Sequence, residues 1–593
     1  MRNRLAWWVL GSLAIVAMVF TACGGSTATT TTSSTSAATS SPPATTTTGV
    51  GGGNWFDYFG EPQYGGTVVT VANANPPAFD PFAGMGPYAI WLEPLGMRKW
   101  ELDRKIFPHN SMIQPYEYSA GLVIESWELP DPSTIIYHVR KGVRWALNPQ
   151  SEASRLVNGR EFTAYDIEWS TQREHGLGAF AGKGSPYMET PLKIVSSVSA
   201  TDRYTVVFKS AYPTIDMQGI LLENLPGNML VPREVVEKWG DMNDWHHVVS
   251  TGPFMLTDYV SDSSITLLKN PNYYGYHEWY PQNKLPYADA WKVLIIPDVA
   301  TAQAGLRTGK ADLMQNLTWE QAASLTQTSP HLVQAKLPQS GVTLDMRCDT
   351  KPFTDINVRK ALQMSVDLKT IAKSFYGGYA DPTPWGFTGT PGYMTPYDKW
   401  TQELKDGYTY NPDGAKKLLA AAGYTTGFKT NIVMASNQEL DLMQLVKDYF
   451  SKVNVDMEIR VMEPTAWSSF VMAGKSDQMT RGDNVGLLWP PAYTALQYYS
   501  KHFYNFTHNN DAAFDDLFNK EMASTSADER RQILTQMNDM ALQKYWSVRL
   551  VPTALVNVWQ PWLKGYSGEY GINRLDYVAR MWVDSSMKRS MGH

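Results

Sequence analysis

A chain of 593 residues is long enough for several cores, and 43% hydrophobic with 18% charged residues is ordinary for a globular protein. Lys and Arg total 51 against 57 Asp and Glu, a net charge of −6. No basic field therefore exists to gather nucleic acid or anionic lipid.

The N-terminus sets Arg2 and Arg4 before an uncharged apolar stretch from Leu5 to Ala22, the charged and apolar regions of an export signal. A membrane-spanning helix is the alternative, and this stretch is marginal for a bilayer that needs about 20 apolar residues. Thr21 and Ala22 stand before Cys23, with Gly24 and Gly25 after it, which resembles the lipobox of bacterial lipoproteins, with Phe20 where Leu is usual. The resemblance implies a signal peptide over 1–22, cleavage before Cys23 and acylation of its sulfur. Two or more acyl chains hold a protein stably at a membrane where one binds only marginally. Residues 26–48 carry no charge and almost no apolar bulk, so they cannot offset ordering entropy. The expected linker, lipidated Cys included, spans 23–58, and Trp55, Phe56, Tyr58 and Phe59 are the first residues able to join a core.

Further along, Thr67 to Val71 reads as a strand ended by Asp80-Pro81. Residues 122–129 and 134–140 read as a hairpin turned by Pro-Asp-Pro-Ser, and Thr163 as the cap of a helix carrying Ile167 and Trp169. A second hairpin is expected to turn at Thr201-Asp202, and a third joins Phe254–Val260 to Ile265–Leu268. Lys292 to Pro297 reads as a buried strand, followed by a helix with Asp298 at its N-cap and Gly309 just past its end.

From Asp355, the apolar residues Val358, Ala361, Leu362, Leu368, Ile371, Ala372 and Phe375 recur at helical spacing. Asn411, Pro412 and Gly423 bracket another helix in the Pro-first, Gly-last order. Residues 429–463 alternate strand, helix and strand, which implies a parallel pair with a right-handed crossover. A helix pair is expected over 512–546, with a β return after it.

Few motifs promise chemistry. Only three residues separate Gly305 from Gly309-Lys310, and Ala311 follows, so no phosphate loop forms there. His277-Glu278 lacks the second His of a zinc helix, and the adjacent His246 and His247 cannot share a helix face. No G-x-S-x-G elbow is present, and no metal or other cofactor is expected. Cys348 has no disulfide partner once Cys23 is acylated, and reads as a structural thiol. The aromatic content is high, with 21 Trp and 32 Tyr. Several of these stand beside Pro and Gly without periodicity, as Trp385, Trp489 and Tyr493 do, and such residues suit the lining of a cleft.

Segments 65–81, 122–145 with 158–170, 250–275, 305–314, 351–382 and 410–424 resemble, in this order, the extracellular solute-binding proteins of family 5, the dipeptide- and oligopeptide-binding components of ABC importers. The resemblance covers nearly the whole chain after residue 60. It implies an α/β, two-lobed, periplasmic-binding-protein-like fold (type II, Venus flytrap), with an extra subdomain at about 100–200 in lobe I. Lobe I would take 59–335 and 548–593, and lobe II 336–547.

The implied protein is no enzyme. It is an extracytoplasmic monomer held at the cell membrane by its lipid, which captures a peptide-like solute between its lobes and hands it to an ABC permease and ATPase. Peptide-binding relatives pair a lobe II Asp with the ligand amine shortly before an Asp-Pro. Here the corresponding region offers Asp483, earlier than in that pattern, near Arg481 and followed by Pro490-Pro491. An oligosaccharide stacked on Trp385, Trp489 or Tyr493 is the second expectation, and an exported glycoside hydrolase a distant third.

Overall fold

The structure, a computed structural model, describes residues 55–83, 90–107, 109, 118–185, 195–211, 229–390, 392–484, 494–524, 526–569 and 578–593. Its first element is a 3-10 turn, Trp55–Phe59, which buries Phe56 and Phe59. Trp55 packs edge-on against Phe56, Phe59 and Trp100, and the Arg104 guanidinium sits 3.7 Å above its ring. Packing therefore begins inside the 23–58 span drawn for the linker. Large aromatic rings gain too much from burial to stay in a tether.

The strands follow in chain order. After β1 (Thr67–Ala72) comes a short ribbon of β2 (Gly96–Arg98) and β3 (Ser119–Gly121). Next are two hairpins, β4 (Ile124–Asp131) with β5 (Thr134–Val139), and β6 (Val195–Asp202) with β7 (Thr205–Ser210). They join as one four-stranded sheet in the order β4-β5-β7-β6. The second hairpin turns at Arg203-Tyr204, later than expected, because Asp202 still pairs with Thr205 and its carboxylate accepts from the Tyr204 N–H at 2.7 Å.

Helix α1 (Glu152–Val157) precedes α2 (Ala164–His175), which packs against β6 and β7. Thr163 starts α2 as expected, and its N–H and hydroxyl both donate to Asp166, at 2.8 and 3.1 Å.

A ten-stranded mixed sheet carries the rest. It contains β8 (Phe254–Val260), β9 (Ser264–Lys269), β10 (Ala290–Ile295), β11 (Leu313–Leu317) and the 14-residue β12 (Val333–Met346). It continues with β13 (Phe428–Ala435), β14 (Val455–Met462), β15 (Met479–Asn484) and the 13-residue β16 (Ser547–Trp559). The order is β14-β13-β15-β12-β16-β11-β1-β10-β9-β8. Antiparallel β12 and β16 lie at its middle, paired from Val333↔Trp559 to Asp345↔Ser547, with register slips on both sides of Gly341. β11 flanks β16 at one end of the pair, and β15 flanks β12 at the other.

The hydrophobic core divides accordingly. One cluster gathers residues between 56 and 313 with others between 559 and 583, and a second gathers residues between 342 and 551. A smaller cluster around Phe387, Tyr498, Phe514 and Trp546 adjoins the expected helix pair, which runs Ala512–Ala523 and Ala527–Gln543.

Local chemistry sets the helix ends. Asp298 caps α3 (Val299–Arg307), and Gly309 follows it at φ +66. Thr318 caps α4 (Trp319–Thr328). The long helix expected from 355 to 375 is broken. α5 (Ile356–Met364) stops where the Ser365 hydroxyl donates to the Leu362 carbonyl at 2.7 Å. Asp367 then accepts from the Thr370 N–H at 3.0 Å, and the chain continues as a π-helical turn, Ile371–Phe375. The Asn411-capped α6 (Pro412–Ala421) and the strand-helix-strand unit β13-α7-β14, with α7 at Leu440–Ser451 and its strands parallel, form as read. Cys348 Sγ donates to the Met346 carbonyl at 3.2 Å, and burial pushes the thiol up to about 12, which fits a structural role.

Glu93 is 1% exposed and accepts from the hydroxyls of Thr251, Tyr274 and Tyr273. Burial pushes its carboxyl from 4.5 up to about 7, against those hydrogen bonds and the Arg140 charge. The folded state thus holds the proton more tightly than the unfolded one, and this group's stabilising contribution fades as pH rises through that interval. Glu93→Gln keeps the shape and is expected to flatten the slope, raising stability near pH 8 by up to about 3 kcal/mol. Melting curves near pH 5 and pH 8 check this, and parallel slopes in both proteins would count against it.

Candidate functional site

Ligands of open α/β sheets bind outside the carboxyl ends of the parallel strands. Here β13 runs parallel to both β14 and β15, so Ala435, Met462 and Asn484 end on one edge. At that edge the Ser436 N–H donates to the Met462 carbonyl at 2.8 Å, and the Gln438 side chain accepts from the Ala435 N–H at 2.8 Å. Glu439 stands at the start of α7, and its Oε2 lies 2.6 Å from Nη2 of the buried Arg481 on β15. Beside them lies α8 (Pro464–Met472), an apolar helix whose Trp467 is half-buried and whose Met472 is exposed.

Away from that edge, the loop 384–390 carries the half-buried Trp385 and is tied to β16. The loop is built rigidly. Asn538 Oδ1 accepts from the N–H groups of Phe387 and Thr388, at 2.8 and 3.2 Å, and the Gly386 carbonyl accepts from Arg549. A Cβ on Gly389 would lie 2.5 Å from the Trp385 ring, so the indole rests on the glycine backbone. Arg549, on β16, also donates to the Tyr498 hydroxyl at 2.8 Å. Ser547 lies 3.0 Å from that hydroxyl and donates to Asp345 on β12 at 2.7 Å. One polar chain therefore links the Trp385 loop to both central strands.

Of the residues expected to touch a ligand, Trp385 is half-buried in the loop that Asn538 and Arg549 hold. Asp483 lies in β15, its backbone opposite Val342, and its side chain falls outside the described structure. Trp489, Tyr493 and Cys23 also lie outside the described residues. The reading from residues missed Asn538, Arg549 and Glu439. Arg549 left one signal, a charge inside the apolar β run 547–559. Among the described residues, no three His, Cys, Asp or Glu side chains converge to hold a metal ion, and no helix is long and apolar enough to cross a membrane.

Two cores joined by a pair of antiparallel crossing strands, with parallel strand ends meeting beside the junction, define a two-lobed binding protein of the type II periplasmic fold with an extra subdomain in its first lobe. HbpA2 of Haemophilus parasuis shares that fold, with a TM-score of 0.71 at 16% identity over 88% of this chain and 100% of the other. The profile of the bacterial extracellular solute-binding proteins, family 5 (middle region), matches residues 119–505, and the chain belongs to that family.

Two Haemophilus influenzae proteins are similar along most of their length. Heme-binding protein A is 26% identical over 474 residues, 72% of this chain and 78% of the relative. The periplasmic oligopeptide-binding protein OppA is 25% identical over 472 residues, 75% of this chain and 82% of the relative.

Proposed function

We propose that this protein captures a peptide-like solute between lobe I (59–335 and 548–593) and lobe II (336–547), and delivers it to the permease and ATPase of an ABC importer. The observation that carries this reading is the pair of crossing strands, β12 and β16, which join two separate cores and permit closure about one short segment. Closure is selected because only the closed form touches the ligand from both sides. No bond is made or broken in such a cycle, so the protein is no enzyme. The similarity to an oligopeptide-binding protein supports the choice of ligand.

Within the cleft, Trp385, Trp489 and Tyr493 supply flat apolar faces, and Asp483 pairs with the ligand amine. Asp483→Asn is expected to weaken trialanine binding by about 2–5 kcal/mol through loss of a buried charge pair. Titration calorimetry reads this directly, and an unaltered affinity removes Asp483 from the site. The half-buried indole of Trp385 on its glycine bed also suits a sugar ring, so oligosaccharide import is the second reading.

Cys23 carries the lipid that keeps the protein beside its transporter, and residues 26–48 act as a flexible stalk that raises effective concentration there. Cys23→Ser is expected to leave unprocessed precursor or released protein. Unchanged mass and membrane partition would refute the anchor.

A further inference from the structure

A cavity of about 280 Å³ opens between the segment after β1, the last turn of α2, the 3-10 turn Gly178–Phe180 and the end of the helix Arg233–Trp239. All its lining residues fall between 80 and 243, and Val236 among them belongs to the core cluster that gathers residues between 56 and 313. It is thus built within one core and not between the two.

Its floor is fixed and its walls are apolar. The buried Asp80 and Arg173 hold each other at the floor through two bonds, at 3.0 and 2.6 Å. Phe82, Phe180 and Val236 form the walls. The Arg173 guanidinium lies 4.5 Å above the Phe82 ring, and Phe180 is steadied edge-on against Trp169 at 5.6 Å. An apolar cavity of roughly 150 Å³ is enough to hold benzene, so this one admits a body of that size and a polar head besides. Gly240 leaves the rim open, since a Cβ built on it would meet nothing within 4 Å.

Two charges stand at that rim. Lys183 is exposed and Asp241 half-buried, and among the described residues neither has an ion-pair partner, nor do they pair with each other. The Asp241 carboxylate is held in place. Asn243 donates to it from its N–H at 2.9 Å and from Nδ2 at 3.2 Å, while Asn243 Oδ1 accepts from the Asp80 N–H at 3.4 Å. A fixed anion and a long-armed cation therefore line one apolar cavity.

We propose that this cavity binds a free α-amino acid with an apolar side chain, at a site separate from the cleft. The ammonium of the ligand meets Asp241, its carboxylate meets Lys183, and its side chain lies between Phe82 and Phe180. Covering the mouth strips water from both rim charges, and a ligand bearing both opposite charges offsets both losses. A monocarboxylate leaves Asp241 unanswered, and a simple amine leaves Lys183 so. What the cleft carries has no bearing on this site.

Calorimetric titration of the detergent-solubilised full chain with leucine, isocaproate and isopentylamine tests this. Leucine is expected to bind at one site per chain, and the two singly charged analogues about tenfold more weakly. Lys183→Met and Asp241→Asn each weaken leucine about tenfold and leave trialanine affinity unaltered. Asp483→Asn leaves leucine affinity unaltered, so the cavity stands even where trialanine finds no site. No leucine binding, an affinity indifferent to both rim substitutions, or one lost in Asp483→Asn overturns the cavity site. Isocaproate or isopentylamine binding as tightly as leucine overturns the amino-acid ligand.

Discussion

Arg173→Met is expected to lower stability by about 3–5 kcal/mol, because it strands a buried carboxylate. Asp80 is 0% exposed and receives both arms of the Arg173 guanidinium, at 3.0 and 2.6 Å. Its oxygens also accept from the N–H groups of Phe82 and Met242, at 3.0 and 2.9 Å, which fix the carboxylate but do not neutralise it. The guanidinium lies 4.5 Å above the Phe82 ring, so methionine replaces some of the packing and none of the charge. The neighbouring Glu174 adds little near neutral pH, since burial already pushes its carboxyl up to about 8 against the Arg173 charge and keeps it mostly protonated. Urea unfolding measures the loss. Asp80→Asn combined with Arg173→Met should recover most of it, and a single variant as stable as the wild type would mean the pair is neutral to stability.

Arg549→Met carries the second large effect. Arg549 is 1% exposed, and its guanidinium serves the Gly386 carbonyl and the Tyr498 hydroxyl. Without it the carbonyl and the hydroxyl each lose a charged donor, and a loss of about 3 kcal/mol follows from two broken charge-assisted bonds. The consequence is local as well as global. The Trp385 loop loses its tie to β16 and keeps its Asn538 contact, so amide exchange across 384–390 should accelerate about tenfold or more over the rest of the protein. Hydrogen exchange read by mass spectrometry separates the two effects. Unchanged protection of 384–390 would show that the loop is held without Arg549.

Both effects depend on contacts far apart in the chain, and this marks the limit of what the residues disclosed. Capping chemistry is local, so Asp298, Asp355 and Asn411 could be found from their own neighbours. The parallel unit 428–462 was legible because its hydrophobic period changes from strand to helix and back within 35 residues. The break after Met364 was hidden because Leu368, Ile371 and Ala372 continue the apolar spacing across it, while Ser365 and Asp367 redirect the backbone. Asp80 read as a strand stop, and its pairing with Arg173, 93 residues away, had no local signal. Glu439 and Arg481 are 42 residues apart, and Arg549 and Gly386 are 163 apart. Such pairs are set by which strands the sheet brings together, and one sequence does not contain that information in any window.

We propose that this chain carries a peptide-like solute between its lobes and does not transform it. The measurement that tests it most directly is native mass spectrometry of the protein purified from its own cell envelope, followed by denaturing release of what it holds. A ladder of peptide masses, unchanged after prolonged incubation with the protein, is the expected result. Hexose-spaced masses, or a released ligand that shortens with time, would contradict it.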